Sequence, residues 1–310
     1  MTPDIHKKTA ILIGLGTISS SYEAGLRNSK CIDCRYVCDI APDAVSRDVY
    51  QDKEYVSDYL PLFRTGKVDL AIIATPPDTH AAIIRDCLDY GVYPVVEKPV
   101  AQTQDLVSDL LQSDCRFEVI FHWLHGSEVI WFAENVSLNE VNNIKISIRD
   151  PYADRGGRIR PEFHNKFGCW LDSGVNALSL LTRFVDLNTL VPDSLSFAMD
   201  EASGQPYRAK CSMHSGKTMI EMDMRWDVDE NHKFTVIDAD RHEYVIDHTA
   251  QAVICDGVLV YRDNVMPRLP RHYFNFFVNY PQSSTDWDTN LLIHRKLYEA
   301  YDYQDQRNMA

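Results

Sequence analysis

The sequence predicts an α/β protein of two domains: a doubly wound parallel sheet in residues 1–122 and an α+β domain with a mostly antiparallel sheet in residues 123–310. Three observations predict it. Short apolar segments alternate with helical segments over the first third of the chain, a glycine-rich turn follows the first apolar segment, and strand-like segments follow one another between residues 193 and 262. Alternation is typical of βαβ units, whereas consecutive strands favour antiparallel pairing.

The elements of the first domain are predicted from apolar composition and periodicity. Residues 68–74 (VDLAIIA) are almost all apolar, as expected of a strand covered on both faces. The predicted strands are 9–14, 35–38, 68–74, 93–96 and 117–121, and the predicted helices run from the glycine turn to about 27, over 78–90 and over 100–111.

The second domain is predicted to open with a helix near 126–135 and a strand at 141–149. A polar loop then leads to a helix from about 171 to 184. The later strands include 218–226, 234–237 and 243–246, and a helix at about 287–303 closes the chain.

The composition restricts the partners. The chain has 310 residues and a formal net charge of −14, and an acidic surface repels phosphate backbones, so no nucleic-acid partner is expected. No apolar run approaches the length that spans a bilayer, and the N-terminus lacks the apolar region and cleavage site of a signal peptide. We therefore expect a cytoplasmic protein without a membrane partner.

The eight cysteines are scattered, and Cys31 and Cys34 form the only close pair, followed by Cys38. A zinc site would need a second pair at suitable spacing, so no metal is predicted. A redox pair is one interpretation of the motif. The other is a set of small buried residues in a reducing compartment.

A glycine turn, Gly14-Leu15-Gly16-Thr17-Ile18-Ser19, stands where the first strand should pass into the first helix. The first glycine permits the tight turn, and the second lets the backbone approach a pyrophosphate at the helix N-terminus. Ser19 replaces a third glycine and is small enough for close packing. The predicted dinucleotide contacts are Gly14, Gly16, Thr17 and Ile18.

Asp39 ends the second predicted strand, about 20 residues after the turn, where an acidic side chain binds ribose hydroxyls. Its carboxylate would repel a 2′-phosphate, and no arginine follows directly. NAD is therefore favoured as the cofactor, and NADP is the alternative.

Two further turns follow buried strands, ATPPDTH at 74–80 and EKP at 97–99. Ligands of open α/β sheets bind beyond the carboxyl ends of the strands. This position predicts that Thr75, Pro76, His80, Glu97 and Lys98 line the cofactor site. Lys98 is also placed to reach a reacting hydroxyl.

Together these motifs resemble the Gfo/Idh/MocA (glucose–fructose oxidoreductase/inositol dehydrogenase) family, with VCDI at 37–40, VEKPVA at 96–101 and WLDSGVNALSLL at 170–181. The resemblance implies a Rossmann domain and a second domain on a large open sheet that commonly mediates oligomerisation, here as a homodimer or homotetramer. It also implies hydride transfer at a carbon that bears a hydroxyl, usually on a sugar or polyol. The family's reaction-centre lysine and aspartate correspond to Lys98 and Asp172.

One departure from the family pattern indicates which branch of the family the chain resembles. Many members have a basic histidine where this chain has Asn176, which cannot take a proton. The D-x-G-x-N-A-L-S form is similar to aldose 1-dehydrogenases that act on galactose or arabinose, in which His122 and Asp150 match sugar-contacting residues. Asp172 and Asn176 are four apart and should share a helical face. Structural roles are the alternatives for His122, Asp150 and Asn176.

The chemistry predicted from these residues is oxidation of the C1 hydroxyl of an aldopyranose to a lactone. Because Asn176 cannot act as the base, Lys98 or Asp172 must take the hydroxyl proton, and the sequence leaves both open. One alternative is a polyol dehydrogenase that oxidises a secondary ring hydroxyl to a ketone. The other is an NAD(P)-binding regulatory protein without turnover.

An arginine-rich loop, DRGGRIR at 154–160, replaces a loop of the aldose branch that bears tryptophan and histidine. The expected arginine at 121–126 is also missing. Arginine suits bidentate carboxylate recognition, so Arg155, with Arg158 and Arg160, predicts an acidic sugar such as a uronate. The alternative is a solvated surface loop.

Overall fold

The computed structural model describes residues 7–41, 43–101, 103 and 116–308. The chain divides into two units, one of residues 1–125 and 269–290 and the other of residues 126–268 and 291–310. Most of the helix predicted over 100–111 lies outside the described residues.

The first unit is built on a six-stranded sheet in the order β3-β2-β1-β4-β5-β6, and every neighbouring pair in it is parallel. This order confirms the predicted doubly wound sheet, in which the direction of winding reverses between β1 and β4. The strands are β1 (Lys8–Ile13), β2 (Ile32–Cys38), β3 (Glu54–Val56), β4 (Leu70–Ile73), β5 (Tyr93–Glu97) and β6 (Glu118–Ile120).

The first helix begins as a 3₁₀ helix, Thr17–Tyr22, and continues as α1 (Glu23–Asn28). Ser19 and Ser20 explain the tight start, because each hydroxyl donates to the carbonyl three residues back, at 2.8 Å. The other helices of this region are α2 (Leu60–Arg64), α3 (Pro77–Asp89) and two 3₁₀ turns, Arg47–Tyr50 and His122–His125. β3 and α2 have no counterpart among the elements predicted from the sequence.

A returning segment completes the first unit. Within α6 (Arg268–Asn279), Tyr273, Phe276 and Phe277 are fully buried, and the ring of Tyr273 lies 4.5 Å from that of Tyr22. A Cβ at Gly25 would lie 2.7 Å from the carbonyl oxygen of Tyr273, so a glycine is needed for this contact. Residues 269–290 therefore pack in the first unit, whereas the predicted domain boundary at residue 122 assigned them to the second domain.

The second unit is built on an eight-stranded sheet in the order β14-β13-β12-β11-β7-β10-β9-β8. Only β7 and β10 are parallel neighbours, which confirms the prediction of a mostly antiparallel sheet. The strands are β7 (Val141–Arg149), β8 (Leu190–Met199), β9 (Pro206–Ser215), β10 (Thr218–Arg225), β11 (His232–Ala239), β12 (His242–Asp247), β13 (Ala252–Cys255) and β14 (Val258–Arg262).

Helices accompany this sheet. They are α4 (Ser127–Asn135), a π-helical turn, Trp170–Gly174, that continues as α5 (Val175–Leu181), and α7 (Trp287–Asn308), whose residues from 291 onward belong to the second unit. The single α-helix predicted over 171–184 is thus a π turn followed by two α-helical turns. None of the helices in the described part of the chain has the length and apolar character needed to cross a bilayer.

Candidate cofactor and substrate sites

The glycine turn after β1 has the geometry that a dinucleotide requires. Gly14 has φ 97°, and a Cβ there would lie 2.7 Å from the backbone of Ala74, so only glycine is accommodated. Gly16 is exposed, and no atom lies within 4 Å of the position of an added Cβ. The first glycine is fixed by the fold, and the second leaves an open space over the backbone that any side chain would fill. These residues fit a bound pyrophosphate.

Asp39 connects the two loops at this edge of the sheet. Its Oδ2 accepts a hydrogen bond from the backbone N–H of Leu15 at 2.7 Å, and its Oδ1 accepts one from Ala41 at 2.9 Å. Each carboxylate oxygen keeps a further lone pair, which a ribose hydroxyl can use. The side chain is half-buried, and its neighbour Ile40 is 92% exposed.

His80 lies beneath the turns that follow β4 and β5. It is fully buried, and its ring nitrogens lie 2.8 Å from the carbonyl oxygen of Thr75 and 3.0 Å from that of Pro99. Burial lowers the pKa of His80, and the two carbonyls oppose this shift. His80 therefore braces the two predicted cofactor turns from inside.

Glu97 is also an interior residue. Its carboxylate accepts a 2.6 Å hydrogen bond from the Tyr22 hydroxyl and another from Tyr273. Burial raises the pKa of Glu97, and the tyrosine hydroxyls oppose this shift. Lys98 follows, half-buried, and the peptide bond from Lys98 to Pro99 is cis.

His122 lies just after β6 and is buried with its ring stacked on that of Tyr273 at 5.4 Å. Its Nδ1 is 3.1 Å from Nδ1 of His272. These contacts fit the structural alternative for His122, and its predicted contact with a sugar stays a prediction.

Asp172 and Asn176 lie at the π turn and the start of α5. The Asn176 amide donates to the Asp172 carbonyl oxygen at 3.1 Å, so the two residues adjoin as expected from their spacing. The Asn176 Oδ1 is buried and has no hydrogen-bond partner among the described residues. The Asp172 carboxylate forms an ion pair with Lys166, with Nζ 3.5 Å from Oδ1.

Asp150 lies just past the end of β7 and is buried with polar partners. Its Oδ1 accepts hydrogen bonds from Lys233 Nζ at 2.5 Å and from Asn231 Nδ2 at 2.7 Å, and Tyr152 also bonds to the carboxylate. Burial lowers the pKa of Lys233 to about 8, against the opposing charge of Asp150. The carboxylate is therefore held by buried side chains of the second unit, and its predicted contact with a sugar stays a prediction.

Asp172 and Asp150 belong to one polar cluster. Lys166 connects them, because its Nζ lies 5.1 Å over the Tyr152 ring as well as beside Asp172. Burial raises the pKa of Tyr152, and the charges of both aspartates add to this shift. We call this set the Asp150 cluster: Asp150, Tyr152, Lys166, Asp172, Asn231, Lys233 and Arg268.

Five members of the Asp150 cluster were missed by the sequence analysis: Tyr152, Lys166, Asn231, Lys233 and Arg268. One signal was available. β11 alternates between buried and half-buried positions, and Lys233 occupies a buried position in phase with Thr235 and Ile237. A lysine at an inward position of an alternating strand indicates a buried charge that needs a partner.

The arginine loop has a different environment. Arg155 is exposed and forms a bidentate ion pair with Asp229, which is exposed as well. Arg158 and Arg160 are also exposed. The Asp154 carboxylate closes the turn by accepting backbone hydrogen bonds from Gly156 and Arg158. These observations fit the solvated-loop alternative.

Cysteine and metal predictions concern other parts of the chain. The seven cysteines among the described residues are free, and burial raises the pKa of the Cys34 thiol to about 12, which suits an inert buried residue. His242, Cys255 and Asp256 are close enough to share a metal ion, but His242 and Asp256 are exposed and hydrogen-bond each other at 2.6 Å. The proposed chemistry does not use this group.

Comparison with known proteins agrees with the geometry of the first unit. The sequence profile of the Gfo/Idh/MocA family, described as an oxidoreductase family with an NAD-binding Rossmann fold, matches residues 8–121. No curated protein matches the chain.

Solved structures share the fold of nearly the whole chain. A myo-inositol dehydrogenase from Corynebacterium glutamicum is 13% identical with a TM-score of 0.76, and the similarity covers 96% of each chain. A levoglucosan dehydrogenase bound to NADH and levoglucosan is 12% identical with a TM-score of 0.78, over 95% of this chain and 97% of that one. A dehydrogenase from Clostridium difficile is 16% identical with a TM-score of 0.75, over 96% and 99%.

The fold and the glycine turn define an NAD-binding Rossmann domain, the fold of the oxidoreductase family whose profile matches this part of the chain. Residues 8–121 match the sequence profile of the Gfo/Idh/MocA oxidoreductase family, and the similarity of the rest of the chain to solved structures shows the fold. Membership of the aldose 1-dehydrogenase branch stays a prediction.

Proposed function

We propose that this protein is a cytoplasmic NAD-dependent sugar dehydrogenase that oxidises the C1 hydroxyl of an aldopyranose to a lactone. The Asp150 cluster is the observation that supports a sugar as the substrate. It groups hydrogen-bond acceptors and donors on buried side chains of the second unit, as recognition of several hydroxyls requires.

The residues that would hold the cofactor lie in the first unit: Gly14, Gly16, Thr17 and Ile18 at the pyrophosphate, and Asp39 at the ribose hydroxyls. NAD, when bound, supplies the acceptor for the hydride that leaves C1. The protein must then take the proton of the C1 hydroxyl. Lys98 and Asp172 are the two candidate bases, and the Asn176 amide oxygen, which has no partner among the residues described, is an acceptor that can orient a sugar hydroxyl.

A polyol dehydrogenase that forms a ketone is the second candidate function. The names of two structural neighbours, myo-inositol dehydrogenase and levoglucosan dehydrogenase, favour it. Product analysis separates the two functions, because a lactone hydrolyses to an acid and a ketone does not.

The experiment that tests the proposal is an absorbance screen for reduced nicotinamide with aldoses, uronic acids and polyols, run with NAD and with NADP. We expect reduction of NAD by at least one aldose or aldose derivative, with an acid as the final product. A ketone product would replace this proposal with the polyol function. Tight NAD binding without reduction by any compound would favour the regulatory alternative.

We also propose a homodimer or homotetramer formed through the sheet of the second unit. Its edge strand β14 exposes Val258, Leu259 and Val260, and such apolar edges are usually covered in native proteins. Light scattering coupled to size exclusion tests this, and a monomer at micromolar concentration would contradict it.

A further inference from the structure

Arg268 is the member of the Asp150 cluster that carries an unpaired side-chain nitrogen among the described residues. Its Nη1 is buried, and it makes no hydrogen bond with the residues that the structure describes. None of the ion pairs of those residues includes the Arg268 side chain. Buried guanidinium groups are normally bound to carboxylates or carbonyl oxygens, so this nitrogen is an open donor.

The charges around Arg268 explain why no side chain of the cluster neutralises it. The cluster holds three cations, Lys166, Lys233 and Arg268, and two carboxylates. Asp172 pairs with Lys166, and Asp150 pairs with Lys233, so both carboxylates already have a cation. The charge of Arg268 lowers the pKa of Lys233 further, which places the two cations near each other. In a chain of net charge −14, this cluster is locally cationic.

We propose that Arg268 binds an oxyanion carried by the substrate, either a carboxylate or a phosphate on the sugar. The inference rests on the proposed function, because it places the sugar at the Asp150 cluster. A guanidinium presents paired N–H donors that match both anions. A neutral sugar would leave Arg268 unpaired beside Lys233, whereas an anionic sugar would complete the charge balance.

This assignment moves acid recognition away from the loop that the sequence indicated. Arg155 is already paired with Asp229, and its side chain is 68% exposed. Arg268 is separated from that loop by more than 100 residues in the chain, but it lies close enough to Tyr152 to oppose the upward shift of that residue's pKa.

The substrate test compares neutral and anionic forms of one ring. Glucose, galactose and mannose are each assayed with NAD beside their uronates and their 6-phosphates. We expect kcat/KM to be about ten- to a hundredfold higher for a uronate or a 6-phosphate than for the neutral sugar, the usual worth of a charge-assisted hydrogen bond. The anionic sugar with the higher kcat/KM shows whether the oxyanion is a carboxylate or a phosphate. Equal or better oxidation of the neutral sugars would overturn the proposal.

The variant test uses Arg268→Met, which keeps the apolar stem, and Arg268→Lys, which keeps the charge. Arg268→Met should lower kcat/KM for the anionic sugar much more than for the neutral one and so remove the preference, while Arg268→Lys should retain part of the preference. Arg155→Met is the matched control, since it removes the same charge from an exposed site and should leave both substrates unaffected.

Two further measurements separate binding from folding and from turnover. The melting temperature of Arg268→Met should equal or exceed that of the wild type, because the variant removes an unpaired cation beside Lys233. A lower melting temperature with equal losses on both substrate classes would show a structural role and overturn the proposal. If no sugar is oxidised, the proposed function fails, and calorimetric titration of the NAD-bound protein still measures anion preference. Equal binding, or no binding, of the anionic sugars would also overturn the inference.

Discussion

Glu118 carries a buried carboxyl group in the first unit whose protonation depends on the fold. It accepts a 2.9 Å hydrogen bond from the Thr285 N–H and another from Ser284, but burial dominates and raises its pKa from 4.5 to about 7. The folded protein thus holds a proton that the unfolded chain releases at lower pH. The stability from this group is complete below the ordinary carboxyl pKa and is lost as the pH rises through about 7.

We therefore predict that the free energy of unfolding falls between pH 4.5 and about pH 7, by up to about 3 kcal/mol from this group. Glu118→Gln, which cannot ionise, should remove that part of the pH dependence. Urea unfolding at several pH values measures it. The exposed Glu54 provides the control, because Glu54→Gln should leave the profile unchanged. An unaltered profile in Glu118→Gln would show that Glu118 does not titrate in this range.

The candidate bases are also tested at the residue scale. Lys98→Ala should reduce turnover by about 10²–10⁴-fold with little change in NAD affinity, since acid–base help acts on the chemical step. Asp172→Asn should behave similarly, and a double variant no worse than the singles would show that they act as one unit. Lys145→Ala, at an exposed position of β7, is the control. Near-normal turnover in Lys98→Ala would remove Lys98 from the chemistry.

At the scale of elements, the two glycines of the turn have different causes: the fold requires Gly14, and the predicted cofactor requires Gly16. Gly14→Ala adds a methyl group 2.7 Å from the Ala74 backbone at a positive φ, so we expect a loss of about 2 kcal/mol or more in stability. Gly16→Ala adds a methyl group in open space at φ −69°, so stability should hold while NAD affinity falls at least about tenfold. Unfolding and NAD titration measure both, and normal NAD affinity in Gly16→Ala would place the pyrophosphate elsewhere.

Asp39 hydrogen-bonds to two loops and is predicted to bind the ribose. Its replacement should therefore change both the stability of the protein and its preference between NAD and NADP. In Asp39→Asn the amide nitrogen cannot accept the hydrogen bond that one carboxylate oxygen accepts, so about 1–2 kcal/mol of stability should be lost. Preference for NAD over NADP should also weaken, because the repelling charge is gone. Asp33→Asn removes the same charge from the exposed side of β2 and serves as the control. An unchanged ratio of the NAD and NADP dissociation constants would mean that Asp39 does not face the ribose.

The elements that the sequence predicted best are those with a strong local pattern. The apolar run of β4, the helical spacing of α3 and the alternation of β7 are local, and each lies within a few residues of its predicted range. The π turn at Trp170–Gly174 was not predictable in this way. The Trp170 indole donates to the carbonyl oxygen of Leu297 and its ring lies against Gly174, a tertiary packing that periodicity does not contain.

At the scale of the whole molecule, the separation of residues along the chain determined which contacts could be predicted from the sequence. The cofactor turns follow consecutive parallel strands, so the rule that ligands lie beyond the carboxyl ends brought them together. The Asp150 cluster has no such rule. Lys233 is 83 residues from Asp150, and the two meet because β11 pairs with β7. The burial of His80 and Glu97 could not be predicted either, because a sequence motif gives the position of a residue in the chain but not how deeply its side chain is buried.

The return of residues 269–290 to the first unit bears on how the protein is made. On the ribosome, the parallel sheet is synthesised well before Tyr273 and Phe277 emerge, so Tyr22 and Glu97 await partners that are encoded much further along the message. A nascent chain that stops before residue 269 exposes the apolar surface around Gly25 to water and to chaperones. Maturation of the NAD-binding unit is thereby tied to synthesis of the segment at 269–290.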